Sequence, residues 1–180
     1  MLEYFDILNP DGTMAGYQAP RVEAHATGLW HRAANLWLIN NKNEILLQKR
    51  APKKDSFPGL WDLSAAGHVP AGSTTLETIV RETNEEIGVE IDHSHLILLT
   101  TIQESFILNG GKYLDNEFRD IYMVKMDLDI TTCQLQEEEV TELKWMPLKE
   151  FQRDLVEQKH LYTPHAKEYA VVFDLLELNN

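Results

Sequence analysis

Short apolar runs separated by turn residues predict several β-strands in the first half of the chain. The segment 2–8 (LEYFDIL) is the first, and the turn residues NPDG after it could fold the chain back into a hairpin. Two more strands are predicted at 33–39 and 44–50, joined by the polar turn NNKN. After a loop at 51–59 that is rich in Pro and Lys, the segment 60–69 is predicted to form one short strand.

Apolar residues recur at helical spacing over residues 74–87. Thr74 and Glu77 have the spacing of a capping box, and Gly88 lies where a left-handed helix end is favoured. At the periodicity of an α-helix, one face that we expect to pack against a sheet carries Leu76, Ile79, Val80, Thr83 and Ile87.

The second half of the chain also mixes strands with helices. Strands are predicted at 95–107, 117–127 and 140–146. Two helices follow, one beginning at Pro147 and the other capped by Thr163 before a first-turn proline. This order of elements indicates an α/β or α+β sandwich.

Composition and charge narrow the classes of function. The chain has 180 residues, of which 43% are apolar and 25% charged, as in a folded globular domain. Its formal net charge of −13 disfavours nucleic acids and anionic membranes as partners. Cys133 is the single cysteine, which excludes an intramolecular disulfide and a cysteine-built zinc site. Because the sequence has no long apolar run and no signal-peptide pattern, we expect a soluble, cytoplasmic protein.

Three glutamates on the predicted helix are candidates for chemistry. Glu82, Glu85 and Glu86 are three and four residues apart, so they project from one side of the helix. Like charges at this spacing disfavour a helix by about 0.2–0.5 kcal/mol per pair. Grouped carboxylates provide the oxygen ligands that Mg²⁺ or Mn²⁺ prefers. Taken alone, the three residues would favour an exposed acidic face over a metal site.

The residues on either side extend this pattern. Over 67–89 the chain reads GHVPAGSTTLETIVRETNEEIGV, with Gly67, Arg81, Glu82, Glu85, Glu86, Gly88 and Val89 at fixed spacings. This segment resembles the signature of the Nudix hydrolase family, except that Ser73 replaces an early glutamate and Thr83 an aliphatic residue. The resemblance implies an α/β fold, a Nudix-type α/β/α sandwich with a mixed sheet. We expect an N-terminal hairpin or extension at 1–28 and one globular domain at 29–180.

The resemblance also implies roles for the glutamates. Together with the carbonyl oxygen of Ala66, these three side chains would hold Mg²⁺ or Mn²⁺, which would neutralise charge on a diphosphate and activate water. Arg81 would orient the carboxylates through charge-assisted hydrogen bonds.

A carboxylate is expected to act as general base. Glu82 is one candidate, and the acidic stretch 137–139 before the last predicted strand offers others. Within that stretch we favour Glu138 or Glu139, and assign Glu139 to catalysis beside Glu82 and Arg81.

A longer segment, from HRAANLW to LSAAGHV, is similar to the isopentenyl-diphosphate isomerases and their hydrolase relatives. This branch resemblance implies that Arg50 and Lys54 grip a diphosphate, and we predict His68 as a further substrate-binding residue. The metal ligands of the branch are matched by His31, His68, Asp115 and Glu117, with His25 one residue out of step.

Ala66 separates two possible activities. The isomerases have a catalytic cysteine immediately before the Gly-His pair, and the methyl group of Ala66 cannot transfer a proton. We therefore predict hydrolysis of a diphosphate bond in a nucleoside or small organic compound, including an isoprenoid one. Isopentenyl-diphosphate isomerisation is the first alternative, and a non-catalytic ligand-sensing module is the second.

The other expectations concern partners. We expect the substrate to be a small diphosphate compound. The family resemblance also implies a homodimer. Five aromatic residues could stack a base or line an apolar pocket: Trp30, Trp37, Phe57, Trp61 and Tyr113.

Overall fold

The computed structural model describes residues 3–178, which form nine strands and four helices. The strands are β1 (Tyr4–Leu8), β2 (Met14–Pro20), β3 (His31–Ile39), β4 (Glu44–Arg50), β5 (Trp61–Asp62), β6 (Ala65–His68), β7 (Ile97–Leu108), β8 (Tyr113–Lys125) and β9 (Val140–Pro147). The helices are α1 (Arg21–Thr27), α2 (Thr75–Ile87), α3 (Leu148–Glu157) and α4 (Ala166–Leu178). Leu2 of the predicted first strand and residues 179–180 of the predicted domain lie outside the described residues.

The sheet topology contains a mixed seven-stranded sheet and a separate hairpin. Strands β1 and β2 form the predicted hairpin. The larger sheet has the order β5-β4-β3-β8-β7, with β6 paired to β3 and β9 paired to β4. Strands β3 and β8 run parallel, whereas the other pairs are antiparallel. The predicted mixed sheet is therefore confirmed.

Helices cover both faces of this sheet. On one face, Phe151 of α3 and Val172 of α4 pack in a core cluster with Trp37. On the other face, Ile79 and Ile87 of α2 belong to a second cluster. This arrangement is the expected α/β/α sandwich. None of the described helices combines the length and apolar character needed to cross a membrane.

Helix α2 matches its sequence prediction closely. The Glu77 amide donates to the Thr74 hydroxyl at 3.1 Å, and the Thr74 amide donates to the Glu77 carboxylate at 2.9 Å, which completes the capping box. Gly88 ends the helix with φ of 70°. On the predicted apolar face, Thr83 is buried, and its hydroxyl donates to the carbonyl oxygen of Ile79 at 2.6 Å.

The predicted strand at 60–69 is wrong, because it is interrupted between β5 and β6. Strands β3 and β4 pair at Ile39 and Ile45 and diverge from there. Ser64 occupies the gap, where its hydroxyl accepts from the Leu38 amide at 2.9 Å and donates to the Leu46 carbonyl at 2.7 Å. Strand β6 then pairs with β3, and β5 with β4.

Other predicted boundaries also change. Helix α4 begins at Ala166 rather than at Pro164, because the buried Thr163 hydroxyl donates to the carboxylate of Asp62 at 2.9 Å instead of capping a helix. Strand β8 begins at Tyr113, four residues before the prediction of 117. Helix α1 was not predicted from the sequence pattern, since its seven residues are too few to establish a helical period.

Candidate active site

A cavity of about 290 Å³ lies where β3 and β4 diverge, and most predicted site residues line it. These are Arg50, Lys54, Ala66, His68, Glu82, Glu85, Glu86 and Glu139, together with Asp115, Glu117 and Glu138. Arg81 is exposed and is not part of this lining. Residues far apart in the sequence therefore meet in one polar cavity.

The three glutamates of α2 differ in their surroundings. Glu86 is only 3% exposed, and its Oε2 atom accepts from the Gln48 amide at 3.1 Å and from the Ala66 backbone N–H at 3.3 Å. Burial raises the pKa of Glu86 to about 7, although the nearby Lys54 ammonium opposes the rise. Glu82 is half-buried and Glu85 is exposed.

Arg81 joins the two more accessible carboxylates. Its guanidinium donates to Glu82 at 2.7 Å and to Glu85 at 3.2 Å. Both contacts are solvent-accessible and therefore weak, and the orienting role of Arg81 stays a prediction.

Gly67 allows α2 to approach β6. A Cβ atom at this position would lie 2.5 Å from Cγ of Glu82, a distance that real Cβ atoms do not show. The glycine of the predicted signature thus leaves room for the Glu82 side chain beside β6.

A second cluster of ligand-type side chains adjoins the glutamates. Oδ1 of Asp115 lies 3.3 Å from Nε2 of His25, 3.6 Å from Nε2 of His31 and 3.5 Å from Nε2 of His68. The ligand atoms of these four residues all lie within 4.8 Å of one another. Such a set of imidazole and carboxylate groups could hold a metal ion.

The environment of these imidazoles fixes their orientation. The ring of Phe5 stacks on His31 with centroids 4.7 Å apart and on His68 at 5.3 Å. Nδ1 of His31 lies 2.9 Å from the Leu29 carbonyl oxygen, so this ring nitrogen donates a hydrogen bond to it. Nε2 of His31 is buried and has no hydrogen-bond partner among the described residues, as suits a ligand atom directed at a cation.

The pKa values of Asp115 and His68 in this cluster both depart from their ordinary values. Burial opposes ionisation of Asp115, yet the neighbouring imidazoles, His25 and His68 nearest, hold the pKa of its carboxyl well below the usual range. Burial also opposes protonation of His68, but hydrogen bonds with Asp115 and Glu117 raise the pKa of this imidazole to about 9. The cluster therefore attracts positive charge.

The two predicted diphosphate-binding cations have different surroundings. The Arg50 guanidinium donates to the Asp62 carboxylate at 2.8 Å, to the Ser56 carbonyl oxygen at 3.0 Å and to the Ser56 hydroxyl at 2.9 Å. Lys54 forms an ion pair with Glu139, the residue assigned to catalysis, and both side chains are partly exposed. Lys54 is thus the more accessible of the two cations.

Sequence reasoning missed several residues that shape the cavity. Arg119 is buried and lines it, and its guanidinium donates to Glu104 at 2.7 Å and to Glu117. Gln48, which holds Glu86, was not singled out either. The position of Arg119 two residues after Glu117 on a strand was the available signal, because alternate residues share a face.

Of the five aromatic candidates, Phe57 is in the cavity lining. Trp37 is fully buried in a core cluster, and Tyr113 stacks on His25 with centroids 4.2 Å apart. Trp30 packs against Phe118, and Trp61 faces the ammonium of Lys144.

A family model described as NUDIX domain matches residues 29–167. This chain belongs to the Nudix hydrolase family. Among sequence relatives, Nudix hydrolase 3 of Arabidopsis thaliana is 36% identical over 179 residues, which are 97% of this chain but 23% of that protein. An uncharacterized Nudix hydrolase of Clostridium acetobutylicum is 33% identical over 85% of this chain and 74% of its own length.

Other similarities concern the isomerase branch and the fold. An isopentenyl-diphosphate Delta-isomerase of Escherichia coli is 29% identical over 81% of this chain and 78% of that protein. A crystal structure of a Deinococcus radiodurans protein, 24% identical, aligns with a TM-score of 0.63 over 89% of this chain and all of that chain. The NUDIX domain of Shewanella oneidensis NrtR, complexed with ADP ribose, is 21% identical and aligns with a TM-score of 0.58 over 80% of this chain and 86% of that domain. These two structures establish the fold.

The predicted enzyme class is confirmed by the family match and the relatives' names. The chain is a Nudix phosphoanhydride hydrolase.

Proposed function

We propose that this enzyme hydrolyses the phosphoanhydride bond of a hydrophilic diphosphate compound with the help of Mg²⁺ or Mn²⁺. The observation that carries the proposal is the meeting of Glu82, Glu85 and Glu86 with Lys54 in one cavity. Carboxylates suit hard cations, and an ammonium suits the negative phosphates that accompany them.

The donor set of α2 fits a magnesium or manganese ion. Glu82, Glu85 and Glu86 would hold it, and the ion would supply positive charge to the diphosphate and acidify water. Gln48 and the Ala66 N–H both bind Oε2 of Glu86, so Oε1 remains for the cation. The carbonyl oxygen of Ala66 stays a proposed further ligand.

A second cation would bind at the histidine cluster. His25, His31, His68 and Asp115 would be its ligands, and their nitrogen-rich donor set favours a transition metal over Mg²⁺. The unpartnered Nε2 of His31 supports this assignment.

Lys54 and Glu139 would act in sequence. When the diphosphate enters, its phosphate oxygens compete with Glu139 for the Lys54 ammonium. The released Glu139 carboxylate then accepts the proton of the attacking water, a role for which Glu82 is the alternative. The Ala51 N–H donates to the Glu139 backbone carbonyl at 2.8 Å, which keeps this residue at the cavity after the ion pair opens.

The lining of the cavity favours a polar substrate. Its apolar residues are Ala33, Phe57, Ala66 and Gly67, whereas the rest of the described lining is charged or otherwise polar. A prenyl chain would find little apolar surface to bury there. We therefore favour a nucleoside diphosphate derivative over an isoprenoid diphosphate. Ala66 argues against isomerase chemistry, as predicted.

A panel of diphosphate compounds with Mg²⁺ tests the proposal. ADP-ribose, UDP-glucose and isopentenyl diphosphate are incubated with the enzyme, and inorganic phosphate, monophosphate and diphosphate products are separated. We expect monophosphate release from the nucleotide compounds. A rearranged carbon skeleton that retains its diphosphate would favour the isomerase, and no turnover of any diphosphate with either metal would reject the hydrolase.

A further inference from the structure

The loop between β4 and β5 holds one residue in an unusual backbone conformation. Phe57 has φ of 49°, in the left-handed region that bulky side chains rarely adopt. The residue after it is Pro58, and a proline normally favours an extended conformation in the residue before it. Strain of this kind persists where the surrounding structure imposes it, and it is concentrated at functional sites.

Arg50 holds the residue that precedes Phe57. Its guanidinium holds both the carbonyl oxygen and the hydroxyl of Ser56, the residue before Phe57. The same guanidinium is anchored to the buried Asp62 carboxylate at 2.8 Å. The loop is closed by the Gly59 N–H, which donates to the Arg50 carbonyl oxygen at 3.1 Å. Three of the five N–H groups of Arg50 thus donate to Ser56 and Asp62.

In this conformation the Phe57 ring packs in an aromatic group at the cavity wall. The ring lies 5.3 Å from the Phe106 ring and 5.9 Å from the His165 ring, nearly perpendicular to both. Phe57 and His165 line the cavity. Among the described lining residues, Phe57 provides the one apolar surface larger than a methyl group.

We propose that Phe57 is a specificity-determining residue that packs against a planar ring attached to the diphosphate, and that Arg50 is the positioning residue that keeps it there. This inference rests on the proposed function, since it concerns the group carried by the same diphosphate. A flat heterocycle such as a nucleobase matches a single aromatic wall inside an otherwise polar cavity, because it stacks with its face and forms hydrogen bonds with its edge.

Binding of two classes of non-hydrolysable ligand tests the inference. The α,β-methylene analogues of ADP, GDP and UDP carry a ring, and methylenediphosphonate carries none. Dissociation constants are measured by calorimetry with Mg²⁺, so the result does not depend on turnover. In Phe57→Gly, whose backbone accepts positive φ freely, and in Phe57→Leu, we expect ring-bearing analogues to bind about three- to tenfold more weakly. Methylenediphosphonate should show no comparable loss.

Arg50→Lys separates positioning from direct phosphate binding. Lysine keeps the charge but cannot hold Ser56 and Asp62 together, so a positioning role predicts weaker binding of the ring-bearing analogues alone. If both ligand classes weaken equally, Arg50 grips the diphosphate and this part of the inference is overturned. Phe118→Leu, an aromatic substitution outside the cavity lining, is the matched control and should bind like the wild type.

The remaining outcomes are also decisive. If the wild type binds none of the ring-bearing analogues more tightly than methylenediphosphonate, or if Phe57→Gly leaves that preference unchanged, the inference is wrong. If the ring preference disappears in Phe57→Gly while the wild type hydrolyses no diphosphate, the proposed function fails and the recognition of a planar ring stands.

Discussion

Glu86 shows how one side chain can be buried and still be available for binding. Its Oε2 atom is held by Gln48 and the Ala66 N–H, while the carboxylate faces the cavity. Burial raises its pKa to about 7, so an adjacent cation would favour the ionised form. Glu86 is therefore better placed to bind a cation in the cavity than to form a salt bridge at the protein surface.

Glu86→Gln and Glu85→Gln should each lower turnover by more than about 100-fold, because the amide keeps the shape and removes the charge that holds the cation. Phosphate release with Mg²⁺ measures the effect, and circular dichroism checks the fold. Glu90→Gln, an exposed change just after α2, is the control. Full activity in purified Glu86→Gln would contradict the metal assignment.

Lys54→Met should raise the KM for the diphosphate substrate about tenfold or more, since one hydrogen bond to a charged group is worth about 1.5–3 kcal/mol. Lys54→Arg should retain most of the affinity because the positive charge remains. Steady-state kinetics on the substrate identified by the panel gives the comparison. An unchanged KM in Lys54→Met would show that the diphosphate binds elsewhere.

Asp62 links stability to pH. Burial opposes its ionisation, but the Arg50 guanidinium and His165 lower the pKa of this carboxyl below its ordinary value. Its contribution to stability is therefore complete above the unfolded-state pKa of about 4 and is lost as the pH falls through the lower folded-state pKa.

Asp62→Asn should cost about 3–5 kcal/mol near neutral pH, because it leaves Arg50 buried without its anionic partner. The difference from the wild type should shrink as the pH is lowered below about 4. Urea unfolding at a series of pH values measures both effects, with the exposed Asp174→Asn as control. A difference that stays constant down to the most acidic pH would contradict the assignment.

At the scale of elements, the contact of α2 with β6 depends on a glycine. Gly67→Ala would place a Cβ atom against Cγ of Glu82, so either the helix or the carboxylate must move. We expect a loss of about 1–3 kcal/mol of stability together with weaker metal binding. Thermal unfolding and manganese titration test this. Thr74→Ala, which removes only the helix cap, should cost about 1 kcal/mol and leave metal affinity unchanged.

Local sequence signals predicted α2 because its determinants lie within the helix. The capping box, the apolar face and the terminal Gly88 all act over a few residues. The interruption between β5 and β6 could not be predicted in this way, because Ser64 bonds to Leu38 and Leu46, which are distant in the sequence. Helix α1 was missed for a related reason, since its contacts with β8 are formed only in the folded chain.

In the candidate site too, residues with a sequence signal were predicted, and residues brought there only by folding were missed. Family resemblance and spacing supplied the glutamates and the cationic residues that line the cavity. His25 fitted the branch pattern poorly, yet α1 carries it to within 3.3 Å of Asp115. The local signal for Arg119 was only its spacing of two from Glu117 on one strand, because its partners Glu104 and Glu168 belong to other elements.

Across the whole molecule, Arg119 joins several elements under the cavity. From β8 it contacts Glu104 on β7, Glu168 on α4 and His165 before α4. Glu168 is fully buried and also accepts hydrogen bonds from β3, including one from the Trp37 indole at 2.9 Å. The helix layer and the sheet are thus connected through one guanidinium.

Arg119→Met should destabilise the fold by about 3–5 kcal/mol, because it leaves buried carboxylates without their cation. Arg153→Met is the matched control, since this guanidinium is exposed and pairs with the exposed Glu150 and Glu157 on its own helix, so its loss should cost little stability. Chemical denaturation compares the two. Equal losses in both variants would indicate that the buried network adds nothing special to stability.

The N-terminal hairpin and α1 determine how far this protein can be truncated at its N-terminal end. The Phe5 ring stacks on the imidazoles of His31 and His68, and His25 provides a third imidazole beside Asp115. Phe5 and His25 both precede residue 29, where the family match starts. A shortened version starting at Leu29 would keep every glutamate of α2 while losing part of the neighbouring pocket. A domain boundary taken from family similarity alone would therefore separate His31 and His68 from Phe5 and His25, which pack around them.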